Sequence, residues 1–166
     1  MGKNLFLITI CMQTKWIWMS GLKNQSDMHL KFDEYLAITK RMDMKHRRVH
    51  LGMSKLVTDS AMNLMSEKMK VWEAANHIVD WQSAPYSQNQ NYVESKIKHV
   101  FAGGIANISS SGFPHMLLMH MCHMKVEAMN AHWVSGSDLS PMEARFGTRA
   151  NIKNFFPAGA VMYVYV

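Results

Sequence analysis

Residues 5 to 11, Leu5-Phe6-Leu7-Ile8-Thr9-Ile10-Cys11, are apolar on both faces of an extended chain. That pattern fits a central strand covered by helices on both sides. The polar stretch from Ser20 to Asp27 predicts a loop. From Met28 to Met42 the positions Leu30, Tyr35, Ile38 and Met42 recur at helical spacing, with Leu36 and Ala37 beside them and Asp27 placed as N-cap. Arg47 to Leu51 reads as a second strand stopped by Gly52, followed by a short helix beginning near Ser54. Met69 to Trp72 and His77 to Trp81 read as two short strands. Gln82 to Asn91 is polar around Pro85 and predicts a loop, with a helical piece over Tyr92 to Lys96.

The clearest local run is Ile97-Lys98-His99-Val100-Phe101-Ala102-Gly103-Gly104-Ile105, read as a strand ending in a glycine pair that opens into a helix. Glycines there allow a sharp turn and close approach to a ligand, having no Cβ to clash. Gly112-Phe113-Pro114 breaks the chain again, Met116 to Met124 reads as another strand, and Ala158 to Val166 as the last. Strands alternating with helices predict a three-layer α-β-α fold. Its central sheet is expected to be mainly parallel, with an antiparallel C-terminal edge hairpin, in a single domain over residues 1–166.

Composition narrows the classes. With 166 residues and 48% hydrophobic content the chain can close one sizeable core. Lys and Arg number 18 against 12 Asp and Glu, a net charge of +6 that favours anionic partners such as phosphates. The opening Met1-Gly2-Lys3-Asn4 and the short run after it lack a cleavage site, Phe6 breaks the myristoylation pattern, and no apolar stretch reaches the length of a membrane span. By default a cytoplasmic protein with no membrane partner is therefore expected; a monomer without a nucleic-acid partner is expected as well. Cys11 and Cys122 both sit in apolar runs and read as reduced, buried thiols. The 17 methionines are spread along the chain and read as adaptable core filler.

The order of parts resembles dihydrofolate reductase: an apolar first strand, a loop, a helix carrying an acid, a strand ending at Gly52, a strand ending at Gly103-Gly104, and a C-terminal hairpin. Short stretches carry it further, namely Ala37-Ile38-Thr39, Leu51-Gly52, and His99-Val100 before the glycine pair. The resemblance implies NADPH-dependent reduction of dihydrofolate to tetrahydrofolate, with antifolates as ligands. It implies Glu34 as the acid that assists substrate protonation, with Asp33 and Asp27 as alternatives. Such an acid must be partly buried to lift its pKa toward the working range. Ile10, Ile38, Lys68 and Asn130 would contact the substrate, and Ile17, Gly52, Ser54, Lys55, Gly103, Gly104 and Ile105 the cofactor. The family's pattern is broken at Gly52-Met53-Ser54-Lys55, where an arginine is missing, at Trp18, which replaces a glycine, and at Met129, which replaces an aspartate. Loss of catalysis on a retained fold is the alternative.

Two other chemistries compete. On a strand, His120, Cys122 and Met124 would share one face and offer soft ligands to copper(I). Lys40, Arg41, Lys45, Arg47 and Arg48, with Trp16 and Trp18 as stacking surfaces, would suit a nucleic-acid module. No phosphate-binding glycine loop, nucleophile elbow or zinc-protease motif is present.

Overall fold

A computed structural model describes residues 5–46, 52–58, 67–82, 88–132, 136–155 and 158. Contacts divide the chain into two compact units: Met1–Thr9 with Trp18–Ser95, and Ile10–Ile17 with Lys96–Val166.

The first unit opens with β1 (Leu5–Ile10) and β2 (Ile17–Leu22), which pair as a two-stranded sheet. Every residue from Ile17 to Ser20 is buried, so β2 is an apolar strand and not part of a polar loop. Helix α1 (Met28–Lys45) buries Phe32, Tyr35, Thr39 and Asp43, a stripe with spacings of three and four that a helix places on one face. Phe32 stacks on Trp72 of α2 (Glu67–Ala75) with centroids 5.4 Å apart, and the Trp72 indole N–H donates to the Asp33 carboxylate at 2.6 Å. Tyr35 meets Trp18 of β2 edge-on at 5.5 Å. Asp27 does precede α1, but its side chain makes no cap bond to the helix.

β3 (Lys55–Thr58) and β4 (Val79–Gln82) pair in parallel with Lys55 opposite Val79 and Thr58 opposite Gln82. Parallel neighbours require a crossover, and α2 lies within it. Met69, Trp72 and Glu73 are the buried residues of α2, while Val71 is 66% exposed. That is the spacing of a helix, which corrects the strand expected over Met69 to Trp72. Lys55 opens a strand where a helix from Ser54 was expected.

In the second unit the tip of the β1–β2 hairpin is tied by Cys11 N–H to the Trp16 carbonyl at 2.8 Å and Lys15 N–H to the Cys11 carbonyl at 2.7 Å. Helix α3 (Gln88–Ser111) begins in the first unit and continues into this one. It stops at Gly112, whose φ of +70° suits a residue without Cβ. Helix α4 (Leu118–Ala131) follows a 3-10 turn over His115–Leu117, and α5 (Pro141–Phe146) begins with a capping box between Ser140 and Glu143. Phe146 is buried edge-on against Trp16 at 5.2 Å.

The three-layer α/β expectation is overturned. The described residues form two two-stranded sheets, with parallel pairing confined to β3 and β4, beside helices of 18, 9, 24, 14 and 6 residues. The run from Ile97 to Ile105 is helical because its apolar positions belong to a longer period: Val100, Gly104 and Ile108 are buried four residues apart. The run from Met116 to Met124 is helical too, rich in leucine and methionine, which favour helix. The strand expected over Arg47 to Leu51 lies outside the described residues, as does the one expected over Ala158 to Val166 apart from Ala158 itself, which stands in a turn.

Candidate functional site

The residues singled out from sequence are divided between the units. Glu34, Ile38, Gly52, Ser54, Lys55 and Lys68 belong to the first, and Ile10, Ile17, Gly103, Gly104, Ile105 and Asn130 to the second. Glu34 sits on the exposed face of α1 and pairs with Lys31 at 2.7 Å, so it lacks the buried setting a proton-donating acid needs. Asp33 is committed to Trp72, and Asp27 is held by Asn24 and Ser26. Lys68 is exposed in the first turn of α2, and Ile38 is half-buried on α1.

Gly103 and Gly104 are not a cofactor turn. Both lie inside α3, where a Cβ on Gly104 would sit 2.5 Å from the Cys122 sulfur and one on Gly103 would sit 2.6 Å from the Lys125 side chain. Their smallness lets α4 approach α3 closely, which accounts for the pair without a ligand. Ile105, next in line, is 49% exposed on the same helix. Asn130 and Ile17 are brought together: the Asn130 carboxamide accepts from the Ile17 N–H at 2.8 Å and donates to the Ile17 carbonyl at 2.7 Å. Both residues are buried, so these bonds complete a backbone segment and leave the amide unavailable to substrate.

The copper reading required a strand. On α4, neighbours two apart point roughly 200° away from each other, and His120 is exposed while Cys122 is fully buried. No group of three or more His, Cys, Asp or Glu able to hold a metal occurs among the described residues. Burial pushes the Cys122 thiol above its ordinary pKa, the opposite of what a metal-binding thiolate needs. Cys11 and Cys122 are both free. Trp16 and Trp18 are core residues and offer no stacking surface.

What remains in the first unit is a cleft of about 260 Å³ beside the C-terminal half of α1. Leu36, Ala37, Met53 and Ile78 give it apolar walls, Gly52 part of its rim, and Lys40 and Asn76 its polar groups. A Cβ on Gly52 would meet nothing within 4 Å, so that glycine leaves the rim open. Asn76 follows α2, and its amide donates to the Trp72 carbonyl at 2.9 Å, closing the helix end. An Asn directly after two alanines at a helix terminus is the signal that would have found it. Lys40, which lines the cleft, and Arg41 and Lys45 are all exposed on α1. No helix among the described residues is long and apolar enough to cross a membrane.

No family model matches the chain, and no curated protein does. A solved structure does: a chain in the complex of the simian T-cell lymphotropic virus intasome with PP2A regulatory subunit B56 gamma superposes with a TM-score of 0.60 at 10% identity. The likeness covers 98% of this chain and 54% of that one, so this chain spans about half the length of its structural neighbour. At that identity the likeness is one of fold.

Proposed function

We propose that the chain is a nucleic-acid-associated domain. One observation carries the reading: Lys40, Arg41 and Lys45 are exposed on α1 in a chain of net charge +6, and phosphate neutralisation supplies most of the free energy of sequence-independent binding. The similarity to a chain of a complex that joins an intasome to PP2A regulatory subunit B56 gamma runs through 98% of the sequence and is compatible with it. This reading is an alternative to the expectation that the protein has no nucleic-acid partner. The reading is limited to association, since half of the neighbour's length has no counterpart here.

The reductase reading has lost the architecture on which it rested. Glu34 is exposed and paired, and the glycine pair lies inside a helix. Dihydrofolate reduction then stands on short sequence matches alone, and a rise in melting temperature with NADPH and methotrexate would be its signature. The nucleic-acid reading is tested by mobility shift of a mixed-sequence DNA duplex at low salt. Retardation is expected, and a free duplex at every protein concentration would remove the reading.

A further inference from the structure

The carboxylates of α1 are arranged so that the exposed surface of its C-terminal half carries cations and no carboxylate. Asp33 accepts from the Trp72 indole, Glu34 is paired with Lys31, and Asp43 is wholly buried. Beyond Glu34 the only acid on α1 is therefore Asp43, which presents no surface, while Lys40, Arg41 and Lys45 are exposed. In sequence the run continues through His46 to Arg47 and Arg48, which places five cations between positions 40 and 48. Cations at a helix C-terminus are also favoured by the macrodipole. That explains the last turn, which holds Lys45, but Lys40 and Arg41 stand further back, and Lys40 also lines the cleft.

We infer that the C-terminal half of α1, with Lys40, Arg41 and Lys45, is the surface that docks the phosphate backbone of a nucleic-acid duplex. The inference rests on the nucleic-acid reading and specifies its surface and ligand form. A single strand is held by stacking bases on exposed aromatic rings as well as by charge. Trp18, Phe32, Tyr35 and Trp72, the rings packed around α1 and α2, are all buried. Among the described residues this face offers charge without an exposed aromatic ring, which suits a duplex, whose bases are already stacked, and predicts little dependence on sequence.

The test compares the full chain with the triple variant Lys40→Gln/Arg41→Gln/Lys45→Gln by fluorescence anisotropy on a mixed-sequence DNA duplex across a salt series. A control, Lys23→Gln/Lys98→Gln/Lys153→Gln, removes three exposed cations elsewhere. Each lost phosphate contact lowers the log-log salt slope by about 0.9, so the α1 variant is expected to lose roughly 2.7 from the slope and the control to lose little. Unchanged melting temperatures establish that both variants fold. If the parent binds and the α1 variant keeps its slope and affinity, or falls no further than the control, the surface assignment is overturned while the nucleic-acid reading stands. If the parent binds no duplex, both fall. Tighter binding to oligo(dT) than to the duplex overturns the ligand form.

Discussion

Gly104 of α3 lies so close to Cys122 of α4 that a Cβ at that position would stand 2.5 Å from the sulfur and 3.3 Å from the Cys122 backbone nitrogen. Cys122 is itself wholly buried, so the contact has no room to relax outward.

Gly104→Ala therefore puts two effects in opposition. Alanine favours helix by ~1 kcal/mol over glycine, while forcing a methyl into a filled contact costs about 1–3 kcal/mol. Net destabilisation is expected in urea denaturation. Gly103→Ala is the contrasting case: the three atoms nearest its Cβ all belong to the flexible side chain of Lys125, which can move aside, and stability is expected to hold or rise.

Asn130→Ala leaves the buried N–H and carbonyl of Ile17 without their partner. Each unsatisfied group costs about 1–3 kcal/mol, so this is expected to be among the most damaging single substitutions in the second unit. Asn130→Asp keeps an acceptor for the N–H but sets a carboxylate against the Ile17 carbonyl, and it should destabilise more at neutral than at acidic pH. Denaturation midpoints at two pH values check both.

How far the sequence disclosed this structure depends on window length. β1, the existence of α1 and the break at Gly112 are legible because each is marked by its own composition. The buried face of α1 is not: of Leu30, Tyr35, Ile38 and Met42 only Tyr35 is buried, and Phe32, Thr39 and Asp43 complete the stripe. α3 and α4 are not legible either, because over nine residues an apolar run reads equally as strand or helix, and only the recurrence of Val100, Gly104 and Ile108 settles the period. β2 is hidden because its second half, Ser20 to Leu22, falls in the polar stretch that predicts a loop. At the candidate site, Lys40 and its basic neighbours were visible in sequence, whereas the burial of Trp16, Trp18 and Asp43 follows from tertiary packing that no local pattern encodes.

The cap of α5 sets an acid limit on stability. The Ser140 backbone N–H and the Ser140 hydroxyl, with the Arg149 guanidinium at 2.8 Å, hold the Glu143 carboxyl below its ordinary pKa. A depressed folded pKa means the stabilisation is fully present above the unfolded glutamate pKa and is lost as pH falls through the lower folded value. Glu143→Gln is expected to flatten that acid limb of a stability-pH profile while leaving other regions of the profile in place.

Cys11 and Cys122 are expected to separate in thiol labelling. Cys11 is partly exposed, whereas Cys122 is fully enclosed between α3 and α4 with its thiol pKa raised by burial. Iodoacetamide should modify Cys11 in the native protein and reach Cys122 only at denaturant concentrations that open the helix pair. Equal native rates would contradict the packing.

The most direct test of the nucleic-acid reading is the dissociation constant of the wild-type chain for a mixed-sequence DNA duplex as a function of salt. With Lys40, Arg41 and Lys45 each neutralising a phosphate, log-log plots are expected to be linear with a slope of about −2.7 or steeper. Absence of binding at about 50 mM salt, or an affinity indifferent to salt, would contradict it.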